Sequence, residues 1–381
     1  MNRQRVRVTA ALLTAAALVG VTAPTAAADD NAHGARHGTH GGTAPTVRER
    51  LDLLVDADGV PGALAYEGRR TVRAGTAELG SGKPMVGAEG RFRMGSNTKA
   101  FTAAAVMRLV VDGRLRVDDR AGRYVPQLAD SPITIRQLLK QRSGLADYAG
   151  LVDWEKPLSD EGYLGLVLKE DLQFEAGTEW GYSNSNYLVL GMVITRASGT
   201  DYRTYIERTI LKPLRLESTY WPGPGELTPR GPHARNYGVH PLHPEQGLTD
   251  VTELPAYEFF GASGGLVTTP KDLNAFWDGL FGGKLLPRWA LRQMTHDTTE
   301  VGGRDVYPEG SRYGYGVASI PLSCGGAYWG HGGDLPGVSV GGGRATDGRG
   351  TVTVYTTTVA AQGSRLAHLQ GAVDAALCDG R

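Results

Sequence analysis

The stretch Phe92–Leu115, FRMGSNTKAFTAAAVMRLVVDGRL, decides how the rest of the chain is read. From Thr98 onward it is rich in Ala, Val, Met and Leu, and Gly113 is its first helix breaker, a composition that predicts a buried helix with a glycine stop. Ser96 stands at the start of that helix and Lys99 three residues further on. Residues at i and i+3 share a helix face, so the ammonium nitrogen can reach the hydroxyl oxygen. A serine hydroxyl is a weak nucleophile until a neighbouring base takes its proton, and a lysine held neutral can serve. A serine at a helix start also lies where backbone N–H groups and the positive dipole end favour a developing oxyanion. Taken alone, Ser-x-x-Lys is more often an N-cap beside a surface lysine. The surroundings have to decide.

Two further motifs follow in order. Tyr182-Ser183-Asn184 stands inside EAGTEWGYSNSNYLVLGMVI, and His331-Gly332-Gly333 inside WGHGGDLPG. With the Ser96 helix they resemble the penicillin-recognising serine hydrolases, a superfamily of class C β-lactamases, D-alanyl-D-alanine carboxypeptidases, D-aminopeptidases and esterases. ITIRQLLKQRSGLADY (Ile133–Tyr148) and ASGGLVTTPKDLNAF (Ala262–Phe276) extend the similarity, which runs from about residue 50 to the end. Three motifs in order are far more specific than one. The resemblance implies an α+β fold: an antiparallel β-sheet flanked by helices, with an inserted, mostly helical lobe. A single catalytic domain is expected over 46–381, its α/β lobe at 46–95 and 251–381 and its helical lobe at 96–250.

The resemblance also implies roles. Ser96 attacks a carbonyl and forms an acyl-enzyme, while Lys99 and Tyr182 share its proton. A phenol beside an ammonium is expected to have a depressed pKa and to act as a base. Asn184 bonds Lys99 and a substrate amide, and His331 stands where a proton donor or carboxylate-binding group belongs. Gly333 and Asp334 lie on the strand whose backbone N–H, that of Asp334, completes an oxyanion hole with Ser96 N–H. No metal or other cofactor is implied. The leading expectation is a D-alanyl-D-alanine carboxypeptidase acting on small peptidoglycan-type peptides, with β-lactams as further substrates. A class C-like β-lactamase, a D-aminopeptidase, an esterase and a catalytically silent binding protein are the alternatives.

The sequence departs from the family pattern in places. Gly332 lacks the hydroxyl that helps hold a substrate's C-terminal carboxylate, which leaves room for aminopeptidase or esterase activity. Glu175 replaces a proline, and Gln141-Arg142 stands where relatives commonly carry His-Thr. A competing pattern, Gly261-Ala262-Ser263-Gly264-Gly265, satisfies G-x-S-x-G, the nucleophile elbow of another hydrolase fold. An elbow needs a strand before the serine and a helix after it. Here YEFF precedes and LVTTP follows, so Ser263 is set aside and its glycines are read as close sheet packing.

Bulk properties narrow the remaining classes. Lys+Arg and Asp+Glu both count 40, and no basic run appears, which argues against nucleic acid. Arg3, Arg5 and Arg7 precede the apolar stretch Val8–Val21 and then Ala26-Ala27-Ala28, the pattern of a cleaved signal peptide over 1–28 and of a secreted protein. That stretch is shorter than the roughly 20 residues a membrane span needs. Residues 29–45 read as a Gly/His-rich linker, and His33, His37 and His40 as solvated rather than metal-binding. Cys324 and Cys378 form an even pair, which in an exported chain reads as one disulfide. Residues 222–250 are predicted to be a long loop, and a monomer is expected.

Overall fold

In the computed structural model, residues 45–254, 256–304 and 306–379 are described, so the leader, its cleavage site and His33, His37 and His40 lie outside the described residues. Thr46 opens α1 (Val47–Asp56) with a capping box: its hydroxyl accepts from Glu49 N–H while the Glu49 carboxylate accepts from Thr46 N–H. The hairpin β1 (Gly62–Glu67) and β2 (Arg70–Gly75) follows. The short β3 (Phe92–Arg93) then leads through a 3₁₀ turn, Gly95–Asn97, into α2 (Thr98–Val111). The helical stretch holds α3 (Ile135–Leu139), α4 (Asp160–Val167), α5 (Asn184–Ser198), α6 (Tyr202–Ile206) and α7 (Lys212–Leu214).

Beyond it come the hairpin β4 (Tyr237–His240) and β5 (His243–Asp250), then α8 (Ala256–Gly264), β6 (Val267–Thr268), α9 (Pro270–Phe281) and α10 (Arg288–His296). Strands β7 (Thr299–Glu300), β8 (Arg312–Tyr313), β9 (Ala318–Pro321) and β10 (Ala327–Gly330) continue the chain. After them come β11 (Gly333–Leu335), β12 (Val338–Ala345), β13 (Thr351–Thr356) and the closing α11 (Gly363–Cys378).

The main sheet has nine strands in the order β2-β1-β13-β12-β10-β9-β8-β7, with β11 also paired to β12, and its pairings are antiparallel. Successive side chains of a strand point to opposite faces. Val352 and Val354 therefore pack with Leu51 and Leu369 of the outer helices α1 and α11, while Tyr355, Leu64 and Val340 join the core shared with α2 and α5. Helix α2 is buried on nearly every side, and its alanines let neighbours approach; Phe101 stacks on Phe276 of α9 at 3.6 Å between ring centroids. Such a helix is a core element rather than an amphipathic surface one. The α+β expectation holds.

Three sequence readings are corrected. Residues 237–250, expected within a loop, form the β4–β5 hairpin; HPEQGLTD is too polar and too exposed to show the alternation that marks a strand. In the segment expected as one strand from Gly314 to Ile320, residues 314–317 form the turn between β8 and β9, and the strand begins at Ala318. The glycines of GASGG do not pack a sheet. Gly261 and Gly264 lie in α8, where Gly261 (φ 32, ψ −125) kinks the helix, and Gly265 directly follows it.

Cys324 and Cys378 are joined as a disulfide with 5.8 Å between Cα atoms, tying the end of α11 to the turn between β9 and β10. Among the described residues no helix is long and apolar enough to cross a membrane.

Asp297, just past α10, accepts from Lys140 and Arg136 beyond α3 and within it, and from the Tyr315 hydroxyl at 2.6 Å. These partners hold its carboxyl down, at about 2, against the opposing effect of burial. A carboxylate depressed in the folded state stabilises above its unfolded value, roughly 3.9, and that contribution is lost as pH falls through the folded one. Asp297→Asn is expected to cost about 2 kcal/mol at pH 7, less than a fully buried pair because part of the side chain meets water. Thermal unfolding at pH 7 and pH 2 checks this: the gap between wild type and variant should close at the lower pH.

Candidate active site

The site lies where α2, α5 and β11 meet. Ser96 occupies the middle of the 3₁₀ turn before α2 and is half-buried, whereas Lys99, one turn on, is fully enclosed. Lys99 Nζ lies 2.9 Å from Ser96 Oγ, 2.7 Å from Asn184 Oδ1 and 2.9 Å from the carbonyl oxygen of Ser263. Burial disfavours its charged form and lowers its pKa to about 7; the nearby Asp147 carboxylate opposes that shift. A lysine in that range is neutral often enough at physiological pH to accept a proton.

The Tyr182–Asn184 segment owes its place to the helix start it forms. Ser183 caps α5, its hydroxyl accepting from Ser185 N–H, so Asn184 becomes the first helical residue and faces Lys99. Gln141 buttresses this loop. Its side-chain oxygen accepts from Ser183 N–H and Asn186 Nδ2, and its own backbone sits at φ 59, a left-handed conformation that costs energy for a residue other than glycine. The departure from His-Thr at 141–142 thus shapes the loop carrying Tyr182.

The Tyr182 phenol lies beside the Ser96 side chain, and Lys99 Nζ lies 4.9 Å from its ring centroid. Its expected depressed pKa is not met. Burial pushes the phenol well above its ordinary value. In that state Tyr182 is a donor, not a standing base.

His331 needs a similar correction. Its Nδ1 lies 2.5 Å from the Gly332 carbonyl oxygen, which can only accept, so Nδ1 carries the proton and Nε2 accepts from the Tyr313 hydroxyl at 3.0 Å. Burial and the nearby Lys99 lower its pKa to about 3. A neutral imidazole with both nitrogens engaged does not fit a cation that holds a carboxylate.

Gly333 presses against the nucleophile turn. A Cβ added there would lie 2.1 Å from the Met94 carbonyl oxygen and 3.0 Å from Ser96 N, so this contact requires glycine. A Cβ at Gly95 would lie 3.0 Å from Asp334 N, which places that amide beside the turn. The Asp334 carboxyl accepts from Ser339 on β12, and burial pushes it up to about 6.

Two participants were given no part in this site from the sequence. Asp147, in the quoted RSGLADY segment, accepts from Asn184 Nδ2 at 3.0 Å, Asn184 N at 3.2 Å and Ala149 N at 3.0 Å. Ser263 serves through its carbonyl, while its hydroxyl is enclosed and bonded to Tyr148 Oη and the Phe260 carbonyl. That location agrees with setting it aside as a nucleophile. Among the described residues no three His, Cys, Asp or Glu side chains gather as a metal site requires.

The sequence pattern of the Beta-lactamase family matches residues 44–376. Among solved structures, a D-stereospecific amidohydrolase from Streptomyces sp. is 30% identical, with TM-score 0.75, covering 88% of this chain and 98% of its own. The D-amino acid amidase from Ochrobactrum anthropi SV3 is 25% identical, with TM-score 0.75, covering 87% and 96%. Among curated proteins, penicillin-binding protein 4* of Bacillus subtilis is 32% identical over 151 residues, 38% of this chain and 33% of its own. The chain spans less than half the length of the curated relatives it matches.

Proposed function

The chain belongs to the Beta-lactamase family, within the penicillin-recognising serine hydrolases, and from that premise we propose that it hydrolyses amides of D-amino acids through a Ser96 acyl-enzyme. The observation that carries the chemistry is the 2.9 Å contact between Lys99 Nζ and Ser96 Oγ inside an enclosure that lowers the lysine's pKa. Ser96 Oγ attacks the carbonyl carbon and passes its proton to Lys99. The oxyanion is received by Ser96 N–H and Asp334 N–H. Lys99 then gives up that proton by way of the Tyr182 phenol, which donates to the leaving nitrogen as the C–N bond breaks. Water, losing its proton to the same lysine–tyrosine pair, attacks the ester carbon; Ser96 Oγ regains that proton as it leaves, and the D-amino acid is released.

The leaving group is the finer question. Gly332 offers no hydroxyl, His331 is neutral, and Asp334 adds a carboxyl beside the same strand, none of which favours a leaving group that carries a carboxylate. This supports an amide over a D-alanyl-D-alanine dipeptide, and so does the full-length likeness to the Streptomyces amidohydrolase. The carboxypeptidase reading stands second, favoured by the similarity to penicillin-binding protein 4*.

Ammonia release from D-alanine and D-phenylalanine amides should be compared with D-alanine release from a Lys-D-Ala-D-Ala peptide, penicillin turnover and short-ester hydrolysis. The amides are expected to lead in kcat/KM by at least about tenfold, roughly 1.4 kcal/mol of transition-state binding. A lead for the dipeptide returns the carboxypeptidase, and rapid penicillin turnover returns the lactamase. Because the neutral lysine is the active form, kcat/KM should fall about tenfold per unit as pH drops below about 7. A profile flat from pH 5 to 8 would remove Lys99 as the base. Export with cleavage after residue 28 belongs to the same reading, and N-terminal sequencing of protein recovered from the culture medium tests it.

A further inference from the structure

We propose that Asp147 is a positioning residue that, by fixing which end of the Asn184 amide faces Lys99, reserves the lysine's lone pair for Ser96. The inference rests on Ser96 and Lys99 forming the acylating pair. It concerns a residue that touches neither substrate nor nucleophile.

The argument is one of donors and acceptors. A neutral lysine amine has two N–H donors and one lone pair. Two of the three groups around Nζ, the Ser263 carbonyl and Asn184 Oδ1, can only accept, and they take both N–H bonds. The lone pair is left for the third neighbour, Ser96 Oγ, whose hydroxyl must then donate. That outcome depends on Asn184 presenting its oxygen. Rotated by half a turn, the amide would aim NH₂ at Nζ and compete with Ser96 for the lone pair.

Asp147 prevents the rotation. The groups it accepts from are N–H donors: Ala149 N and Asn184 N on Oδ1, and Asn184 Nδ2 on Oδ2. Asn184 Nδ2 is thereby held away from Lys99 at 3.0 Å from the carboxylate. The backbone bond to Asn184 N fixes Asp147 to the first turn of α5, and a carboxylate that left would strand that buried N–H without a partner. The charged and titratable groups around Lys99 are Asp147, Tyr182, Tyr187 and His331. Of these, Asp147 is the one whose negative charge favours the ammonium.

Asp147→Asn separates this role from simple support, because it keeps shape and size. The asparagine oxygen stays on the two backbone N–H groups, which points its NH₂ at Asn184 Nδ2. Two donors cannot face each other, so Asn184 turns and presents NH₂ to Lys99. Hydrolysis of p-nitrophenyl acetate by full-length wild type, Asp147→Asn, Asn184→Ala and the double variant, from pH 5 to 9, tests it. Asp147→Asn should lower kcat by 10- to 100-fold with KM within about twofold. Its acid limb should move to lower pH, since Lys99 loses a neighbour that favours its charge. In the Asn184→Ala background Asp147→Asn should cost less than about threefold.

Asp147→Asn within twofold of wild type with an unmoved acid limb would overturn the proposal. So would an equal loss in the Asn184→Ala background, which would make Asp147 a support acting elsewhere. The ester keeps this test separate from the substrate reading: a wild type that hydrolyses the ester but no D-amino-acid amide refutes the substrate alone.

Discussion

Ser96→Ala is expected to lower kcat on any acyl substrate by about 10⁴- to 10⁶-fold, with little change in thermal stability. The side chain is half-exposed and its removal deletes one oxygen, so packing barely changes. The chemistry changes entirely, and Ser263 does not replace it, because its Oγ is enclosed and already bonded to Tyr148 and Phe260. Mass spectrometry after exposure to an activated ester or labelled penicillin gives the direct readout. Wild type should carry an adduct on the peptide containing Ser96, and the variant none. An adduct on Ser263, or equal labelling of both proteins, would sink the assignment of the nucleophile.

Lys99→Arg should remove acylation by about 10³- to 10⁴-fold, the scale expected when a general base is lost. A guanidinium stays charged at any working pH and has no lone pair to receive the serine proton. Space compounds the loss, since Lys99 has no exposed surface and its nitrogen is already in contact with Ser96, Asn184 and Ser263. Lys99→Met serves as the companion variant, because it fills similar volume without charge and cannot act as a base. Both should fold, as judged by circular dichroism, and both should fail to form the adduct. Substantial acylation in either would shift the base to Tyr182, against the raised pKa of its phenol.

The sequence made visible what depends on side-chain identity at a fixed spacing. Ser96 and Lys99 had to share a helix face, and Tyr182-Ser183-Asn184 and His331-Gly332-Gly333 supplied groups that the fold brings to that face. What escaped has physical reasons. The Ser263 carbonyl accepts from Lys99 as any residue's carbonyl could, so nothing in its letter announces the role. Asp147 stands 37 residues before Asn184, with no periodicity to connect them. The protonation states of Tyr182 and His331 followed from burial, which a motif does not report; loss of water raises the phenol and lowers the imidazole. The β4–β5 hairpin escaped because its second strand is mostly polar and exposed, and the α8 kink because glycines inside a helix read as strand or turn.

The place of β13 beside β1 has a kinetic consequence. Leu64 pairs with Tyr355, and the backbone amide proposed for the oxyanion comes from residue 334, so apart from Lys99, three residues on, the nucleophile at residue 96 meets its partners through contacts of long sequence separation. Closing loops of that length costs entropy before any contact repays it, which places the chain among slow folders of high contact order. A chain still emerging from the ribosome carries Ser96 and Lys99 for more than two hundred residues before β11 exists to complete the turn's surroundings. Competence therefore arrives at the end of synthesis, and reappearance of esterase activity during refolding should follow closure of the sheet rather than formation of α2.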